Sequence, residues 1–135
     1  MVFTTYMLPV AKARARVCMV NGYARAFTPT KTVNAESAIR AAFLQSGAGK
    51  YPAGVPLSLV ISIYRPRPRS LPKRFLWPVT RPDLDNYLKL VLDALNGFAW
   101  EDDAQVVMLR GVKRFGEPPR IEIEIDDHTI DGTGI

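Results

Sequence analysis

At 135 residues, with 47% hydrophobic and 23% charged side chains and a net charge of +5, the chain has the length of one domain and the composition of a globular protein, not a disordered one. No apolar run approaches the ~18 residues that span a bilayer, the single cysteine excludes an internal disulfide, and one cysteine with one histidine cannot supply the usual four ligands of a zinc site. The opening stretch MVFTTYMLPV lacks the charged leader of a secretory signal, so a cytoplasmic location is expected.

Residues 2–9 suit a strand closed by Pro9. Lys12, Arg14 and Arg16 then recur at spacing two, which puts all three on one side of an extended chain. Asn21 and Gly22 predict a tight turn between two short extended arms. Such a basic hairpin can lie along a phosphate backbone, or be an exposed edge protected by charge. Ala35, Ala38, Ile39, Ala42 and Phe43 mark a helix over 32–46, stopped by Gly47. Residues 56–64 alternate, with Leu57, Leu59, Ile61 and Ile63 on one face, and predict a half-buried strand.

Residues 65–82 hold five prolines, six basic side chains and no acid. This composition forbids regular helix and predicts a long surface loop. Its arginines and lysines (Arg65, Arg67, Arg69, Lys73 and Arg74) suit nucleic-acid contact, whereas Phe75 and Trp77 are expected to pin the loop to the core. A second helix runs over 82–96, with Leu84, Leu88, Val91, Leu92 and Leu95 as its buried stripe, Pro82 in its first turn and Asn96 and Gly97 at its end. Residues 105–115 form a strand with Gly111 as a bulge. After a turn at 116–119, Ile121, Ile123 and Ile125 alternate with Glu122, Glu124 and Asp126. These last two strands are expected to pair as a hairpin, facing Arg110, Lys113 or Arg114 to the glutamates. Strands with two main helices make an α+β domain over 1–126, followed by a flexible tail over 127–135 in which His128 is solvated.

Charge is segregated along this order. Residues 1–82 carry 13 Lys and Arg against the single acid Glu36, whereas residues 83–135 carry 5 against 12. The basic half points to a polyanionic partner, since each neutralised phosphate releases a counterion. Asp83, Asp85, Asp93, Glu101, Asp102 and Asp103 fall within 21 positions. Each has a structural explanation alone: compensation of the helix dipole, an acid-before-base pair of Asp85 with Lys89, or a solvated turn. Together they suggest more, because a helix followed by a strand folds the chain back and lets the D-x-D pair meet the E-D-D turn. Carboxylates gathered in a basic protein need a cation, and an oxygen-only set suits Mg²⁺, or Mn²⁺ in its place. Lys89, one turn past Asp85, can offset negative charge in a phosphoryl transition state.

The ordered set Arg81-Pro82-Asp83-Leu84-Asp85-Asn86, Lys89, Asp93-Ala94-Leu95-Asn96-Gly97, Trp100 and Asp102-Asp103-Ala104-Gln105-Val106 resembles the RusA family of Holliday-junction resolvases. Lys12 to Arg16, Thr28-Pro29 and Lys31-Thr32 are similar to the basic entry of some members, although many of those have a proline where this chain has Ala15. The resemblance implies a small mixed sheet of about four to five strands with helices, assembled as a homodimer. It implies a Mg²⁺-dependent crossover junction endodeoxyribonuclease that places paired symmetric nicks in four-way DNA junctions during recombination and repair. It also implies metal-binding aspartates at Asp83, Asp85 and Asp103, an essential lysine at Lys89, and a phage or prophage setting in a bacterial cell. Lys12, Arg14, Arg16, Arg65, Arg67, Arg69, Lys73 and Arg74 are the candidate DNA contacts. Two other readings stay open: a noncatalytic branched-DNA-binding protein, and a phosphohydrolase of small nucleotides. The second fits less well, because prolines rather than a hydrophobic strand precede the D-x-D.

Overall fold

The computed structural model describes residues 1–13 and 16–128, with Arg16 described by its backbone alone. In chain order it has β1 (Val2–Tyr6), β2 (Arg16–Val20), β3 (Tyr23–Phe27), α1 (Thr30–Gln45), β4 (Leu57–Arg65), α2 (Leu84–Leu95), a 3-10 turn (Asp103–Gln105), β5 (Val106–Phe115) and β6 (Arg120–Asp127). Four strands form a mixed sheet in the order β1-β6-β4-β5, and β2 with β3 forms a separate two-stranded sheet. The fold is α+β, as expected. No helix among the described residues is long and apolar enough to cross a membrane.

Alternation decides which sheet face is buried. Leu59, Ile61 and Ile63 of β4 stand opposite Ile125, Ile123 and Ile121 of β6, and Phe3 of β1 stands opposite Ile123. Neighbours across strands share a face, so these side chains make one apolar layer. Ala35, Ile39 and Phe43 of α1 and Tyr87, Leu90, Val91, Ala94 and Leu95 of α2 close over it. Phe43 touches Phe3 and Phe98 edge-on, at centroid distances of 5.7 and 6.0 Å. The opposite face carries Glu122 and Glu124 in register with Ser62 and Val60.

The expected hairpin of β5 with β6 does not form. β4 lies between them, parallel to β5 and antiparallel to β6. The physical reason lies in β4, whose apolar positions are completely buried; a strand of this kind belongs in the sheet interior, where both edges are hydrogen-bonded. Residues 116–119 therefore cross the end of β4, and the Gly116 amide donates to the Arg65 carbonyl at 3.0 Å. A Cβ on Gly116 would meet Tyr64 Cδ1 at 2.5 Å, so the crossing needs glycine. Arg110, Lys113 and Arg114 are thereby separated from the β6 glutamates by a strand. Gly111 is no bulge either: its place is set by Leu88 of α2, 2.8 Å from where a Cβ would stand. The register shift falls at Leu57/Ser58.

Other expectations change in detail. Pro82 precedes α2 instead of opening it, and Asp83 takes the N-cap position. β6 continues through Asp127, and His128 is anchored: its amide donates to Pro56 O and its ring Nε2 lies 3.0 Å from Ser58 Oγ. The rest of the expected tail, 129–135, lies outside the described residues. The turn between β2 and β3 places Asn21 at φ 52° and Gly22 at φ 80°, the paired positive angles that a two-residue hairpin turn requires.

Candidate active site and nucleic-acid interface

Four stretches converge on a cleft of about 790 Å³: residues 8–13 after β1, residues 29–32 at the start of α1, residues 65–66 at the end of β4, and residues 81–87 at the start of α2. Its lining includes the cations Lys12, Lys31, Arg65 and Arg81 and the acid Asp83. Its geometry is set from below. Lys113 of β5 donates from Nζ to the carbonyls of Thr80 and Pro82, both at 3.1 Å, and so fixes the approach to α2. Arg65 donates to Thr80 O at 3.0 Å and to Thr80 Oγ1 at 3.3 Å. Tyr87, fully buried, forms part of the wall.

The acids separate into two groups. Glu36 and Asp93 both accept Lys12 Nζ at 3.1 Å, Glu101 pairs with Lys50 at 2.8 Å, and Glu122 pairs with Arg120 at 2.9 Å. Asp102 caps the 3-10 turn by accepting the Ala104 amide, while Gln105 Oε1 accepts the amides of Glu101 and Asp102. By contrast, Asp83 and Asp85 are exposed, and among the described residues neither makes an ion pair. Asp83 occupies an N-cap position yet makes no capping bond with its side chain, although aspartate is among the best capping residues. Lys89 is also exposed, and its expected pair with Asp85 does not close.

Asp103 opens the 3-10 turn that follows α2. Its Oδ1 accepts the indole Nε1 of Trp100 at 2.8 Å, and its amide donates to Asn96 Oδ1 at 3.1 Å. Burial pushes its carboxyl pKa above the usual range; Asp93 and Asp102 add to the rise, while the Trp100 hydrogen bond and Lys89 oppose it. Asp93 is eight residues, or ~12 Å of helix, beyond Asp85. Among the described residues no three His, Cys, Asp or Glu groups gather closely enough to hold a metal. No such group unites Asp83, Asp85 and Asp103. Asp83 and Asp85, as exposed oxygen donors, fit the sparser pattern in which Mg²⁺ takes one or two carboxylates plus waters and substrate phosphate.

The candidate DNA contacts are dispersed. Lys12 is half-buried and held by two carboxylates; burial alone would lower its pKa, but hydrogen bonds and charge from Glu36 and Asp93 outweigh that and raise it. Arg14 lies outside the described residues, and Arg16 opens β2. Arg67 donates to Pro72 O and stacks on Phe115. Arg69, Lys73 and Arg74 are exposed on the 65–82 loop, with Arg74 over the Phe75 ring at 4.8 Å. Phe75 and Trp77 do not pin the loop: both are about half exposed, and Trp77 carries Arg114 over its ring at 5.5 Å.

Sequence reasoning missed Arg25, and met Lys31 only in the Lys31-Thr32 pair of the family resemblance. Arg25 is legible only once the hairpin register is known. Residues 23, 25 and 27 share a face of β3, with Arg25 opposite Cys18 and Tyr23 opposite Val20; the other face pairs Val17 with Ala26 and Met19 with Ala24 and is entirely apolar. The β2–β3 hairpin is exposed over all of β3.

The endodeoxyribonuclease RusA family profile matches residues 7–126. The chain is 36% identical over 133 residues to "Uncharacterized protein YqaN" of Bacillus subtilis (strain 168), covering 91% of this chain and 93% of that one. It is 42% identical over 52 residues to the crossover junction endodeoxyribonuclease rusA of Lactococcus phage r1t, covering 38% of this chain and 40% of the phage protein. With most of its length matched, including the whole D-x-D to D-D-x-Q segment, the chain belongs to the RusA family of endodeoxyribonucleases.

Proposed function

We propose that this protein is a divalent-metal-dependent, structure-selective endodeoxyribonuclease that resolves four-way DNA junctions by paired nicks. One observation carries the reading: Asp83 at the N-cap of α2, with Asp85 and Lys89 on the helix, is exposed beside a basic cleft, and among the described residues none of the three makes an ion pair, whereas Glu36, Asp93, Glu101 and Glu122 do. The activity for which the phage relative is named supports the same substrate class.

Asp83 and Asp85 are the residues that would hold Mg²⁺, with Mn²⁺ able to replace it, and Asp103 is the third carboxylate that the family resemblance assigns. When bound, such an ion supplies Lewis acidity at a phosphoryl oxygen and lowers the pKa of a coordinated water. Lys89 offers positive charge where the phosphate gains negative charge. Arg69, Lys73 and Arg74 bind the DNA arms, joined by Arg65, Arg67, Arg14, Arg16 and Lys12. A homodimer would give a two-fold junction two equivalent sites. Its interface is proposed at the sheet edge, where Val107, Met108 and Leu109 of β5 are exposed in succession; a long apolar edge is a template for pairing with a second strand.

The deciding experiment is nicking of a synthetic four-way junction with Mg²⁺. Asp83→Asn should abolish nicking while junction binding in EDTA persists; loss of both together would make Asp83 structural. A noncatalytic junction-binding protein is the second reading, favoured by the finding that no three carboxylates among the described residues form a group that could hold a metal. It requires binding without nicking under every divalent ion tested.

A further inference from the structure

The start of α1 is built against ordinary helix rules. Pro29 occupies its N-cap and makes no side-chain capping bond, and the first turn contains no acid. It contains Lys31 instead, a cation at the positive end of the helix dipole. The amides of Thr32 and Val33 are satisfied by Pro29 O at 3.0 and 3.2 Å. Among the described residues no hydrogen bond reaches the amides of Thr30 and Lys31, two of the donors that every helix start leaves over. Uncapped starts are common enough, and this alone would carry nothing.

A second observation lies at the same place. Thr32 is 1% exposed, and its Oγ1 has no hydrogen-bond partner. A hydroxyl desolvated without a partner costs free energy that a valine of the same shape would not. Thr32 and Lys31 both line the cleft that also receives Arg65, Arg81 and Asp83. An unpartnered hydroxyl, two unused amides, a helix dipole and a lysine thus belong to one helix start, of which Lys31 and Thr32 line a basic cleft. All five favour the same ligand, a tetrahedral oxyanion with several acceptor oxygens.

We infer that the N-terminal turn of α1 seats a phosphate group through the amides of Thr30 and Lys31, the Thr32 hydroxyl and the Lys31 ammonium, and that this group is a phosphodiester of the bound DNA. The seat is separate from the D-x-D pair but shares its cleft, so it fixes the backbone at a set distance from the cleavage site. It also accounts for a lysine that the helix alone disfavours. The source of the phosphate rests on the nuclease reading; the seat itself does not.

The test uses the full chain labelled with ¹⁵N and titrated with inorganic phosphate, followed by junction-binding titrations over a range of salt. Phosphate should shift the amides of Thr30 and Lys31 saturably, and Thr32→Val should weaken that response about tenfold. Thr32→Val should melt no lower than the parent, because it removes an unpartnered buried hydroxyl. Lys31→Ala should weaken junction binding several-fold and reduce the salt slope by about one ion. Junction binding that is unchanged in both variants, with silent amides, overturns the seat while leaving the nuclease reading intact. Amides that respond to phosphate in a protein that binds no DNA overturn the DNA source.

Discussion

The indole Nε1 of Trp100 donates to Oδ1 of Asp103 at 2.8 Å from a completely buried ring. The carboxylate is thus positioned by the core, and its ionisation is resisted by burial and by Asp93 and Asp102. A raised folded-state pKa means that the folded chain holds its proton more tightly than the unfolded chain. Stability is then whole below the unfolded pKa near 3.8 and declines as pH rises through the folded value. Asp103→Asn removes that loss. Its melting temperature should match the parent at acid pH and equal or exceed it at pH 8, while nicking falls by at least about tenfold, as for loss of one group aiding a transition state. A variant that melts lower at pH 8 would show that the charge stabilises the fold.

Lys12 is a clamp between α1 and α2. Its Nζ lies 3.1 Å from both Glu36 Oε1 and Asp93 Oδ2, and its amide donates to Asn86 O at 3.0 Å. Lys12→Met leaves two partly buried carboxylates facing each other without a cation and should cost about 1–2 kcal/mol in urea unfolding. Adding Asp93→Asn should restore part of it. Since the Lys12 pKa is raised, the contribution is whole at neutral pH and fades only as pH climbs above 10.5.

The loop cations differ in their attachments. Arg69 and Lys73 are exposed and make no ion pair among the described residues, whereas Arg67 is tied to Pro72 O and Phe115. Replacing Arg69, Lys73 and Arg74 together with Ala should flatten the dependence of junction affinity on salt by about two to three ions. Arg67→Ala should chiefly loosen the loop. A salt slope unchanged in the triple variant would remove the loop from the interface.

At the sheet edge, Val107, Met108 and Leu109 are 59%, 53% and 41% exposed. If β5 pairs with its copy, Met108→Lys should convert a particle of twice the chain mass into one of the chain mass, read by light scattering during size-exclusion chromatography. Retention of the dimer would move the interface elsewhere.

Much was legible in advance where local chemistry dominates. Alternating isoleucines marked β6 and the Asn21-Gly22 pair marked the β2–β3 turn, whereas of the expected α2 stripe only Val91 and Leu95 are fully buried; Leu84, Leu88 and Leu92 are partly buried, and Tyr87, Leu90 and Ala94 complete the buried face. The D-x-x-Q spacing after Trp100 also carries a capping box that sequence alone contains. The pairing of β5 was not legible, because neighbours in sequence make a hairpin by default and only the competition for β4 decides otherwise.

By itself, then, the sequence determined the elements, the family and the separation of basic from acidic halves, since these depend on residue type, order and period. The tertiary structure decided which acids are already engaged, that Asp103 rests on Trp100, and that Thr32 is buried unpartnered beside a basic cleft. Those facts depend on which residues from distant parts of the chain meet, and spacing along one strand or helix carries no information about its neighbours.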